Sequence, residues 1–200
     1  MLPLKPLMKS VVMVLSMGAL SSPVNADALP MSATVLEFAE SNTLFVADSD
    51  SGQIFAYQLP DIAPATRSES YNLEGAGTSI AALLNVAPTD VNYHDIAIHP
   101  RSKEAFIAVS YLQGKQKRAA LIKANQKGHI EKVNLSQFKH TVKALTDTAE
   151  EAVTFWRDIP ATTLAITDLD YVNGTLYVSS LSTGEFASTL RKVDYPFTDK

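Results

Sequence analysis

Between Ile166 and Phe197 the chain alternates short apolar runs with turn residues. Ile166, Leu169, Tyr171 and Val172 lead into Asn173-Gly174, a dipeptide suited to the positive φ angles of a two-residue hairpin turn. Leu176-Tyr177-Val178 follows as a second short strand. After a polar loop around Gly184-Glu185, Leu190 and Val193 alternate with Arg191, Lys192 and Asp194, the period of two expected of a half-buried strand. The stretch therefore predicts three antiparallel strands, with Glu185 and Arg191 as a surface pair across the last turn.

The same unit recurs twice upstream. From Ala33, the runs Val35–Phe38, Leu44–Ala47 and Ile54–Tyr57 are separated by Glu40-Ser41-Asn42 and by Asp48-Ser49-Asp50-Ser51-Gly52, and Pro60 closes the unit. From Asp95, the strand DIAI turns at His99-Pro100-Arg101-Ser102 into Ala105–Val109. Ala119–Ile122 follows, and Asn125–Gly128 turns the chain into a fourth strand over His129–Leu135. Thr34, Asp95 and Asp168 hold the same place, just ahead of each first strand. Two insertions lengthen the spacing between units. Glu74–Tyr93 carries a helical patch with Ile80, Leu83 and Leu84. In Thr141–Trp156, residues Val142, Leu145, Ala149, Ala152 and Trp156 recur at spacings of 3 and 4, which predicts a second amphipathic helix anchored by Trp156.

Residues 1–26 have the form of an export signal: Lys5 and Lys9, then the apolar run Val11–Leu20, then Val24-Asn25-Ala26 as a small-residue cleavage site. That run is shorter than the roughly 20 residues a membrane-spanning helix needs, so cleavage after Ala26 and a periplasmic or secreted location are expected, with no membrane insertion afterwards. Without the two signal lysines, the 17 basic residues drop to 15 against 21 acidic ones, a net charge of −6. This balance argues against nucleic acid as a partner. The chain has no cysteine, which excludes disulfides, a thiolate nucleophile and cysteine metal ligands.

The segments DIAIHPRSKEAFIAVS, ITDLDYVNGTLYVSS and LFVADSDSGQIFAY resemble β-propeller repeats, in the broad group of NHL, YVTN and quinoprotein-dehydrogenase-like repeats. The ending EFASTLRKVDYPF resembles that of exported bacterial propeller proteins. The resemblance implies an all-β chain: a partial β-propeller of about three four-stranded antiparallel blades, near residues 33–73, 94–135 and 165–200, with short helical insertions. Closed propellers take about 4–8 blades, so residues 27–200 are expected to be the N-terminal part of a longer ring, with completion of the ring by another chain as the alternative. The expected role is an exported binding or assembly module for a protein or small-molecule ligand. The alternative is a propeller enzyme, a quinone-dependent dehydrogenase or a metal-dependent hydrolase of lactonase type, with catalytic residues partly outside this chain.

The candidate site residues follow from the repeat. Asp95 and Asp168 stand before first strands expected to line a central channel, where converging carboxylates suit Ca²⁺ or a polar ligand. The plainer alternative is that each accepts backbone N–H bonds at a turn. His94 adjoins Asp95 and is a third ligand or cation candidate at the channel mouth. A metal pair of His94 with His99 is disfavoured, because the two are five apart and point to opposite faces of a regular strand, and His99-Pro100 reads as a turn. Asp48–Gly52 begins like a calcium loop, yet Leu59 stands where its twelfth-position glutamate belongs. No Ser-His-Asp order with a nucleophile elbow is present, and the sequence leaves open whether the protein is an enzyme.

Overall fold

The structure is a computed structural model that describes residues 30, 32–39, 42–65, 73–149, 153–154, 158–182 and 188–198. Its strands are β1 (Val35–Phe38), β2 (Thr43–Asp48), β3 (Gln53–Gln58), β4 (Val91–Ile98), β5 (Ala105–Gln113), β6 (Gln116–Ala124), β7 (Ile130–Val133), β8 (His140–Ala144), β9 (Asp168–Val172), β10 (Thr175–Leu181) and β11 (Ser188–Asp194). Among the described residues there is one α-helix, α1 (Ala76–Leu84), between β3 and β4, with short 3-10 turns at Pro88–Asp90, Leu135–Gln137 and Ala161–Leu164. The strands form three sheets, ordered β1-β2-β3-β8, β4-β5-β6-β7 and β11-β10-β9. Every pairing is antiparallel. The chain is thus mostly β, with two four-stranded sheets and one three-stranded sheet among the described residues.

The turns form where the residue chemistry permits them. Asn173 and Gly174 have φ of 48° and 85°, and Val172 pairs with Thr175, so the loop has two residues, both left-handed. Between β2 and β3, Asp48 accepts the Ser51 amide at 3.2 Å and Gly52 takes φ of 64°. Asp48 is buried and also accepts the Ser32 hydroxyl at 2.5 Å, so this loop is a closed hairpin turn. At the β6–β7 turn, Asn125 Oδ1 accepts the amides of Lys127 and His129, each at 3.0 Å.

Alternation sorts the side chains into layers. On β2 and β3, Phe45, Ala47, Ile54 and Ala56 pack against Leu169, Leu176 and Val178 of the third sheet. The intervening Leu44, Val46, Phe55 and Tyr57 pack against Phe106, Ala108 and Leu121 of the second. All six residues of β2 are buried, as expected of a strand covered on both faces. The second sheet turns Val109, Tyr111, Ala120 and Ile122 toward Ile80, Ala81 and Leu84 of α1. The layers run α1, second sheet, first sheet, third sheet.

Three expectations change. Val142 and Leu145 do not lie on a helix: His140–Ala144 is the strand β8, paired with Gln53–Tyr57 and supplying the first sheet's fourth strand. The open edge of β3 offers backbone partners to a segment containing Thr141 and Val142, and tertiary pairing outweighs a local helical stripe. Ala152 and Trp156 lie outside the described residues, as do the export signal and Glu185. Second, the first sheet is completed from beyond the second sheet and not from the segment following Pro60. Third, β1 sits between β4 and β9, so the first sheet occupies the middle although it comes first in the chain. The helix expected within Glu74–Tyr93 is present as α1, with Leu83 exposed.

Candidate functional site

The first strands of the three sheets, β4, β1 and β9, lie side by side without a common hydrogen-bond ladder. Side chains make part of the connection. In β4 the register shifts between Tyr93, opposite Val109, and Asp95, opposite Ala108, leaving His94 as the extra residue of a bulge. Beyond the bulge, Asp95 Oδ2 accepts the Leu36 amide of β1 at 2.8 Å, while Oδ1 accepts the Ile96 amide at 2.7 Å. Asp95 therefore lies within β4 and not ahead of it, and it joins the second sheet to the first.

On the other side of β1, Glu37 shares the register of Val35 and so faces β9. It bonds to the backbone amide of Tyr171, and burial holds its carboxyl above the usual range. Asp170 and Asp168 push it the same way, whereas the backbone bonds from Tyr171 and Phe38 oppose the shift. Asp168 itself is exposed and accepts the Leu169 amide at 3.0 Å. The structure thus gathers Asp168 and Asp170 around Glu37 and places Asp95 on the strand flanking β1 from the opposite side.

His94 belongs to neither group. Its Nε2 is 2.8 Å from Ser110 Oγ, and partial burial together with Lys117 keeps the imidazole below its usual pKa, with Asp50 opposing. His99 is buried in the β4–β5 turn and bonds Asn42 and Ser102, so the two histidines serve different contacts. Among the described residues no group of three or more His, Cys, Asp or Glu has the geometry to hold a metal ion. Asp95 and Asp168 both accept backbone amides, those of Leu36 and Ile96 for the first and that of Leu169 for the second. Arg191 Nε and Nη2 bond the Asp147 carboxylate at 3.0 and 2.9 Å, and Nη1 bonds Ser180.

Two clefts open on the β6–β7 side. One of about 440 Å³ is lined by Pro30, Ala33, Leu121 and Leu135. The other, about 280 Å³, has an apolar floor of Leu59, Ile62, Phe106 and Phe138 beside the ion-paired Lys123 and Glu131. Neither is lined by Asp95, Asp168 or His94.

Glu37 is the site residue that sequence reading missed. Its signal was a carboxylate at a core-facing position of a VLEF strand, where an apolar residue is the rule. No protein-family model matches the chain, and no curated protein matches it. Among the described residues no helix is long and apolar enough to cross a membrane.

Proposed function

We propose that the chain is an exported module of β-propeller type that works by binding or assembly, with a protein partner in preference to a small molecule. The observation that carries this reading is the face of the third sheet that no other described residues cover. The first sheet is buried on both faces, and the second is covered by the first and by α1. Among the described residues the third packs on one face only, and the other displays Val172 and Leu190, 44% and 67% exposed, beside Tyr177 and Lys192. A sheet face of this kind suits a further protein layer.

Support for the propeller form comes from the four-strand meander of the second sheet and from first strands that lie side by side. The order second, first, third departs from blades that follow one another along the chain. No observation favours the enzyme alternative.

Export is tested by intact mass of protein from the periplasm, where a chain starting at Asp27 is expected and a retained Met1 counts against it. Assembly is tested by native sizing of the protein in extracts of its own cells. The wild type is expected well above its 21.7 kDa chain mass, and V172K/L190K at monomer size with an unchanged melting temperature. A wild type that is monomeric in those extracts overturns the assembly reading.

A further inference from the structure

His99 is fully buried, and its two ring nitrogens have opposite roles set by their partners. The Ser102 amide donates to Nδ1 at 3.0 Å, and the Ser102 hydroxyl oxygen lies 3.0 Å from the same nitrogen, where it can accept a hydrogen bond from the ring once the ring is charged. A backbone amide only donates, so Nδ1 carries the lone pair and the ring hydrogen sits on Nε2. Nε2 then donates to Asn42 Oδ1, 3.2 Å away in the β1–β2 turn of the first sheet. Asn42 Nδ2 passes the connection on to Asp61 Oδ1 at 2.6 Å. Phe38 of β1 meets the imidazole edge-on at 5.1 Å, and Phe106 of β5 lies 6.5 Å away. One neutral ring thereby ties a turn of the second sheet to a turn of the first.

The charged groups around the ring offer an imidazolium little relief. Arg101 and Lys103, from its own turn, oppose a second proton, and burial opposes it more strongly; Glu104 alone favours it. Glu104 is already occupied: it accepts the Ser102 hydroxyl at 3.2 Å and lies 3.8 Å from Lys123 of β6, which is itself bonded to Glu131 of β7 at 2.7 Å. Asp61, beyond the ring's reach, faces Arg101 at 3.9 Å.

We propose that His99 is an acid-sensitive lock on the β4–β5 turn: on acidification a proton on Nδ1 displaces the Ser102 amide and loosens that turn, while Nε2 keeps its bond to Asn42 of the first sheet. The sign follows from linkage. In the unfolded chain His99 titrates near the ordinary value of about 6.5, and in the folded chain lower. Its contribution to stability is therefore complete above about pH 6.5 and is lost as pH falls through that value toward the folded one. Glu131 and Asp147, both held below the usual carboxylate range, lose their contributions only at lower pH.

The test follows melting temperature from pH 7.5 to 5.0 in the wild type, His99→Asn and His94→Asn. Asparagine at 99 keeps an oxygen for the Ser102 amide and cannot titrate. The wild type is expected to melt progressively lower on acidification and His99→Asn to lose a clear part of that slope; His94, also held below its usual pKa, contributes a separate share that His94→Asn removes. A His99→Asn slope equal to the wild type's overturns the proposal. Should that variant fail to fold, wild-type NMR decides. An unprotonated Nδ1 at pH 7, with protection of the Ser102 amide falling at least tenfold as the ring titrates, is the expected result. Protection that stays constant through the titration refutes it.

Discussion

Tyr57→Phe is expected to make the protein more stable. Tyr57 is fully buried on β3, stacked 6.1 Å from Phe55 and paired in register with His140 of β8, the ring centroids 4.9 Å apart. Its phenol oxygen is buried with no hydrogen-bond partner among the described residues, and so is His140 Nε2. Burial also pushes the phenol pKa up. A buried hydroxyl without a partner costs about 1–3 kcal/mol, and deleting it leaves only an atom-sized gap against apolar neighbours. The net gain should be about 1 kcal/mol, or about 2–4 °C in melting temperature for a chain of this length. Urea denaturation followed by circular dichroism, on wild type, Tyr57→Phe, His140→Phe and the double variant, measures both the gain and the coupling. Additive effects, with Tyr57→Phe above wild type, are expected. A loss of about 1 kcal/mol in Tyr57→Phe that disappears in the His140→Phe background would show a Tyr57–His140 bond and refute the reasoning.

Gly52→Ala should cost about 1–3 kcal/mol, because its φ is 64° and the new Cβ would stand 2.8 Å from Thr148 Cγ2. Adding Thr148→Ala should recover the steric part and leave about 1 kcal/mol from the backbone; chemical denaturation of the single and double variants separates the two. Asp168→Asn should cost at most about 1 kcal/mol, the scale of one capping bond, and melting curves of wild type and variant should be indifferent to calcium and to chelator; a calcium-dependent rise confined to wild type would refute this and support the cation reading. Glu37 has a raised folded pKa, so the folded state holds its proton more tightly than the unfolded chain. Its own contribution to stability should accordingly fall as pH rises through the usual carboxylate range and level off above the folded pKa, against the opposite contributions of Glu131 and Asp147. Glu37→Gln should remove that decline and be the more stable form at pH 7, and thermal melts at pH 4, 5.5 and 7 check both statements.

What the sequence revealed was local. Asn173-Gly174 announced its turn because no other dipeptide meets two positive φ angles so cheaply, and Ile80 and Leu84 marked the buried face of α1. What it concealed was pairing over long separations. The segment from Val142 to Trp156 carried a helical stripe, and only the free edge of β3 turned its first residues into β8. Asp95 was legible as a capping acid, but its acceptor role toward Leu36 needs β4 and β1 side by side, an adjacency set by packing. The same holds for Glu37, whose neighbours Asp168 and Asp170 lie far along the chain. His99 read correctly as a turn residue, while Asn42, which makes it a connection between sheets, is 57 residues away.

The origin of β8 bears on how the chain is made. Between Gln58, where β3 ends, and His140, where β8 begins, the ribosome adds roughly eighty residues, which at about 5–20 residues per second takes about 4–16 s. Through that interval the outer edge of β3 has no permanent neighbour, and the second sheet with α1 is synthesised inside the gap. The nascent first sheet is thus a template open to any passing strand, and its window of vulnerability closes only when Ala144 has emerged. An escort that keeps the emerging chain unpaired, or an export route that accepts it before it folds, would meet this need directly.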